Sequence, residues 1–161
     1  IADGLEREIG KDIQKIKAPR FSYNTDFNCD VFEEKFDFII AQSIITHTGI
    51  DLFDKFLETA KKTLKPNGLI LFTYLPTLEP EQPLPIDGWH YPECVRYDLE
   101  KVDEIVKNAG LVGKALPWYH SVTIWYAVAM NESELPADDK LHHLTGAVLR
   151  SEQFKESHAP S

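Results

Sequence analysis

The stretch LFDKFLETAKKTLKPNGLILFTYL, residues 52–75, constrains the architecture of this chain more than any other. Leu52, Phe53, Phe56, Leu57, Ala60 and Leu64 fall on one side of a helical projection, so its first part is an amphipathic helix. Asp51 is placed to cap that helix, and Pro66-Asn67-Gly68 is placed to stop it. The chain then enters an apolar run over 69–75, the pattern of a buried strand. A helix handing over at once to a buried strand is half of an α/β unit.

The flanking segments extend that reading. Ile1, Leu5, Ile9, Ile13 and Ile16 recur at the helical period, and Ala18-Pro19 ends the helix because the residue before proline is pushed out of the α region. RFSYNTDF alternates Phe21, Tyr23, Thr25 and Phe27, which predicts a short strand, and NCDVFEEK predicts a turn. FDFIIAQS, a continuous apolar run, predicts a parallel strand covered on both faces. DLEKVDEIVKNAG predicts a second helix, with Asp98 at its start and Gly110 at its end. LVGKALPWYH and SVTIWYAVAM predict two closing strands joined around His120-Ser121. Five of the ten prolines crowd residues 76–92, which marks a long irregular loop. The expectation is an α/β domain over 1–130, with a mostly parallel sheet and a C-terminal antiparallel hairpin. A polar extension follows over 131–161, with a short helix at DDKLHHLTGAVLRSEQF.

Charge and composition narrow the function. A formal net charge of −9 disfavours a phosphate-backbone partner, because nucleic-acid binders need a basic face. No apolar run reaches membrane-spanning length, and residues 1–20 mix acids and bases unlike a signal peptide. Cys29 and Cys94, far apart and outside any CxxC, read as two reduced thiols in a cytoplasmic protein. His142-His143 with Asp138 and Asp139 carries no metal reading, since adjacent helical residues point in different directions and no third ligand has suitable spacing. Trp118, Tyr119, Trp125 and Tyr126 read as core and edge packing.

Taken in order, FDFIIAQSIITHTG, LFDKFLETAKKTLKPNGLILFTYL, DLEKVDEIVKNAGL and a hairpin ending in WYAVA resemble the class I S-adenosylmethionine-dependent methyltransferases. The LKPNG junction between helix and strand is the most telling phrase. The resemblance implies a Rossmann-like domain with a seven-stranded sheet and a reversed last strand, S-adenosyl-L-methionine as cofactor, and methyl transfer to a small-molecule acceptor. It is incomplete. The eight glycines form no GxGxG, so the cofactor loop after the family's first strand has no counterpart here; the ribose-binding acid after its second would be Glu6 if DGLE were a strand, but the Ile/Leu stripe favours helix. The expectation is a part of a longer methyltransferase that lacks the first strands of the fold. Such a cut leaves strand edges bare and invites a homo-oligomer through them. The rivals are a methyltransferase-like interaction module that binds no cofactor and, more remotely, a nucleotide-dependent oxidoreductase.

Site residues follow from the rule that ligands of open α/β sheets sit at the carboxyl ends of strands. The resemblance implies that Asp26 and Phe27 read adenine; Asp26 reads equally as a turn residue. It implies that Gln42 and Ser43 meet the cofactor's methionine end and that His47 serves as a base for an acceptor hydroxyl or amine, or as a structural loop residue. Tyr74, Trp89, His90 and Tyr91 would bind the acceptor, with Trp89 alternatively anchoring its loop.

Overall fold

The computed structural model describes residues 2–77, 87–118, 120 and 122–141. Helix α1 (Ala2–Lys17) is kinked at Gly10 and ends at Ala18. A 3-10 helix (Cys29–Phe32) precedes strand β1 (Phe36–Ala41), and a second (Ile45–His47) leads into α2 (Ile50–Thr63). Strand β2 (Leu64–Pro76) follows without a gap, then β3 (Arg96–Tyr97), α3 (Leu99–Asn108), β4 (Val112–Leu116) and β5 (Ile124–Ala129). A 3-10 turn (Glu132–Glu134) and the short helix α4 (Asp138–Leu141) close the described chain.

The main sheet runs β1-β2-β5-β4, with β3 extending β2 at its end. β1 pairs parallel with β2, while β5 lies antiparallel to both β2 and β4, so β5 alone is reversed. This is the expected mostly parallel sheet with a closing hairpin. The hairpin packs tightly at Gly113, where an added Cβ would come within 2.4 Å of the Tyr126 ring and 2.8 Å of the Ala127 carbonyl. Only glycine lets the two strands approach so closely.

α2 and α3 cover one face of the sheet. Phe53, Phe56 and Leu57 of α2, and Val102, Ile105 and Val106 of α3, bury against Ile70, Phe72, Tyr74, Ile124, Tyr126 and Val128. Lys61 on α2 donates to the carbonyls of Ala109 and Gly110 at 2.8 and 3.0 Å, placing a cation at the carboxyl end of α3 where the helix dipole favours one. On the opposite face Leu141 of α4 packs with Leu116 and Ala127, flanked by Leu71, Trp118, Trp125 and Leu135.

Several local expectations change. Residues 20–27 form no strand. The hydrogen bonds there are turn bonds among Ser22, Asn24, Asp26 and Asn28, because short polar side chains compete with a ladder, and no neighbouring strand stands there among the described residues. The predicted turn at 28–35 contains the 3-10 helix, capped by the Asn28 side chain, which accepts from the Asp30 amide. β1 is an edge strand with one face open, not a strand covered on both faces: Phe38 and Ile40 are 62% and 61% exposed. The apolar stripe of α1 also faces solvent at Ile13 and Ile16, which are 45% and 75% exposed.

At α2 the cap position falls to Gly49, and Asp51 instead accepts from the Gly88 amide at 2.8 Å. The helix ends at Thr63, before Pro66-Asn67-Gly68, and those residues become a bulge at the start of β2. Phe36 pairs with Leu64 but Phe38 with Leu69, and Asn67 takes φ 63 to absorb the extra length. Asp98 caps α3 as expected, accepting from the Lys101 amide at 2.6 Å. Cys29 and Cys94 are free thiols. No described helix is long and apolar enough to cross a membrane, and no described cluster of three or more His, Cys, Asp or Glu could hold a metal. Tyr119, Ser121, His142 and His143 lie outside the described residues, as do residues 78–86 of the proline-rich loop.

Candidate functional site

At the carboxyl end of β1 the surface opens into a cavity of about 640 Å³. Ile40 and Ala41 end the strand on one wall, Ile44 follows, and Leu52 and Phe56 come from α2. Phe27 and Trp89 close it with rings 5.9 Å apart and tilted by 48°. Asn24, Thr25 and Asn28 give the lining its polar groups. Phe27 is fixed in a left-handed conformation, φ 57, and its carbonyl accepts from Thr59 of α2 at 2.8 Å. That bond ties residues 24–28 to the helical layer and sets the width of the cavity. Cys29 also lines the wall; burial raises its pKa above the ordinary thiol value, so it is a packed thiol rather than a thiolate.

A second group of side chains surrounds Trp89. The loops after β1 and before β3 are zipped together: Val95 donates to Thr46, His90 to His47 and Gly49 to Gly88, all through backbone amides at 2.7–2.8 Å. The Tyr97 hydroxyl adds a buried bond of 2.7 Å to the Thr48 carbonyl. This scaffold sets the His47 ring 5.6 Å from Trp89 and edge-on to Tyr91 at 5.3 Å. His47 Nδ1 lies 2.7 Å from the Glu93 carbonyl, which can only accept. The proton of neutral His47 therefore sits on Nδ1, and Nε2 is left as an acceptor.

The remaining predicted residues go elsewhere. Asp26 is exposed and its carboxylate is engaged by the Asn24 side chain and the Asn28 amide, at 2.8 and 3.1 Å. Those bonds hold its pKa below the usual carboxylate value. Gln42 points to the closing hairpin, with its amide nitrogen 2.6 Å from His120 Nε2. The Gln42 amide donates, His120 Nδ1 donates onward to Thr123 Oγ1 at 2.5 Å, and Thr123 returns its proton to the His120 carbonyl at 3.1 Å. Ser43, at φ 55, donates its backbone amide to Thr73 Oγ1 at 2.7 Å. Tyr74 is buried in the core beside Tyr126, and burial raises its pKa further above the ordinary phenol value. The structure thus brings Phe27 and Trp89 together at the cavity, with His47, His90 and Tyr91 beside them. Gln42, Ser43 and Tyr74 are not part of that group.

Sequence reasoning missed Thr25, Ile40, Ile44, Leu52 and Phe56 as cavity wall. No local pattern marked these positions, because membership of the wall depends on which distant segments approach the end of β1.

No protein-family profile matches this chain, and no curated protein matches it in sequence. Solved structures match it in backbone. An S-adenosylmethionine-dependent methyltransferase from Clostridium acetobutylicum aligns with a TM-score of 0.53 and 13% identity, covering 76% of this chain and 70% of its own. Magnesium protoporphyrin IX methyltransferase from Synechocystis, with S-adenosylhomocysteine bound, gives 0.53 and 9%, covering 80% of this chain and 61% of its own. A methyltransferase from Bacteroides fragilis in complex with S-adenosyl-L-homocysteine gives 0.51 and 12%, covering 73% of this chain and 57% of its own. The chain has the class I methyltransferase fold. It spans about three fifths of the length of the last two of these structures. The cavity lies at the carboxyl end of β1, the end at which open α/β sheets place ligands.

Proposed function

We propose that this chain forms part of an S-adenosylmethionine-dependent methyltransferase acting on a small molecule, with the cofactor's adenine in the 640 Å³ cavity. The observation that carries this is the position and chemistry of that cavity: apolar walls, two aromatic rings and amide groups, at the carboxyl end of β1. A flat heteroaromatic ring fits between such walls, with edge hydrogen bonds to Asn24, Thr25 or Asn28. The fit stops at the adenine. The Asp26 carboxylate is engaged within its own turn, and among the described residues no glycine-rich loop approaches the cavity to hold the ribose and methionyl groups.

The cofactor, when bound, supplies a methyl group on a sulfonium for direct transfer to a nucleophile. The residues of this chain would then position the acceptor and take a proton from it. His47, held by the Glu93 carbonyl with Nε2 as the acceptor, is the proposed base. Trp89 and Tyr91 would confine the acceptor, and their ring faces suit a cationic or neutral molecule. Alignment of acceptor and methyl group supplies most of the rate in a displacement of this kind.

Calorimetric titration with S-adenosylhomocysteine tests the reading. Saturable binding that weakens by about tenfold in Phe27→Ala and in Trp89→Ala supports it, a change expected for loss of one stacking ring. No binding at millimolar ligand by the folded chain would favour the second reading, a methyltransferase-like interaction module. The bare edge of β1 is the observation behind that alternative.

A further inference from the structure

Trp89 links the two parts of the site: its ring lies 5.9 Å from Phe27 at the cavity and 5.6 Å from His47. Trp89 is 49% exposed, so packing covers only part of it, and the backbone that carries the ring must fix its place. That backbone is held against the amino end of α2. Thr48 and Trp89 face each other in an antiparallel bridge. The Gly49 amide donates to the Gly88 carbonyl at 2.7 Å, and the His90 amide to the His47 carbonyl at 2.8 Å. Those ties are main chain to main chain, and side-chain substitutions leave them in place. A further tie comes from a side chain. Asp51, in the first turn of α2, accepts from the Gly88 amide at 2.8 Å. Gly88 is therefore gripped through both its N–H and its C=O, in a conformation, φ 104, that favours glycine.

We propose that Asp51 is a positioning residue of this site: its carboxylate holds the Gly88 amide so that the Trp89 ring stays against Phe27 and His47. Under the methyltransferase reading, on which this role rests, Trp89 both closes the adenine cavity and confines the acceptor beside His47, so a displaced ring loosens both. Asp51 could otherwise act only on its own helix. A carboxylate in the first turn favours the helix dipole, and that contribution depends on its charge. The hold on Gly88 depends instead on an acceptor oxygen, which an amide side chain also offers. Asp51→Asn therefore keeps the hold and loses the charge, whereas Asp51→Ala loses both.

The test follows the indole N–H resonance of Trp89 in the isotope-labelled whole chain, assigned through Trp89→Phe, with Trp118 and Trp125 as internal references. Asp51→Ala should move the Trp89 resonance and the ring resonances of His47, and leave those of Trp118 and Trp125 in place. Asp51→Asn should keep the parent positions. Gly88→Ala, where an added Cβ meets no described atom within 4 Å but the backbone is strained, should move Trp89 as Asp51→Ala does. S-adenosylhomocysteine binding should weaken by about fivefold in Asp51→Ala, less than for loss of the ring itself, and recover in Asp51→Asn. An unmoved Trp89 resonance in Asp51→Ala, or a change of equal size in Asp51→Asn, would overturn the proposal and leave Asp51 a charge at the helix end. A parent chain that binds no S-adenosylhomocysteine while Trp89 responds as expected would remove the methyltransferase reading and leave the hold of Asp51 on Trp89 supported.

Discussion

β1 and β2 are neighbours in one sheet and have similar apolar sequences, yet they live in different environments. In β2, Ile70 and Phe72 are fully buried between α2, α3 and β5, and Thr73 on the opposite face is buried too. In β1, only Ile39 and Ala41 pack toward the helices, while Phe38 and Ile40 stand largely in solvent. The difference does not come from hydrophobicity. It comes from what lies beside and behind each strand: β2 has partners on both edges, and β1 has one. The closed side of the molecule holds the core, and the open side leaves large apolar side chains in solvent.

The sharpest way to break that contrast is paired truncation. Phe72→Ala removes a ring that stacks on Tyr126 at 5.3 Å and meets Phe53 at 5.1 Å, and should cost about 3–5 kcal/mol in denaturant unfolding. Phe38→Ala should cost about 0.5 kcal/mol or less, as for other surface substitutions. Comparable losses at the two sites would show that β1 is covered in solution. Gly113→Ala tests the closed hairpin: the new Cβ meets the Ala127 backbone and the Tyr126 ring, for a loss of about 1–3 kcal/mol in the same measurement.

Two smaller effects probe the junction between the regions. Thr59→Val deletes the bond that anchors Phe27 to α2 and should cost about 1 kcal/mol, with weaker S-adenosylhomocysteine binding than the parent by calorimetry. A stability loss with unchanged binding would separate the anchor from the cavity. The smallest effect is at Asp26. Its pKa is lowered in the fold, so its contribution is complete above the unfolded carboxylate value near 4 and is lost as pH falls through the lower folded value. The Asn24 and Asn28 resonances should shift in that acidic window and not above it, and Asp26→Asn should abolish the shift.

Much of the fold could be read from residues alone. The α3 cap at Asp98, the α2 stripe and the closing hairpin all depend on local chemistry, so pattern sufficed. The misreadings have a common cause. Residues 20–27 alternate like a strand but have no neighbouring strand among the described residues, and Asn24, Asp26 and Asn28 close turns instead. α2 stops early because a continuous β2 is favoured from Leu64, where pairing with Phe36 outweighs another turn of helix. At the site, Phe27 was named from the resemblance and Trp89 from its long loop, but their meeting at one cavity was not legible. Tyr74 was not distinguishable from them, since its burial depends on Tyr126, which lies 52 residues further along the chain.

What the sequence determined by itself was the succession of β1, α2, β2, α3 and the closing hairpin and the faces of the two packed helices, because helical periodicity and capping are properties of short segments. Tertiary structure decided the rest. Whether an apolar run is core or surface depends on which distant segment lies against it, and for β1 the described residues leave Phe38 and Ile40 in solvent. No local pattern records the absence of a neighbour.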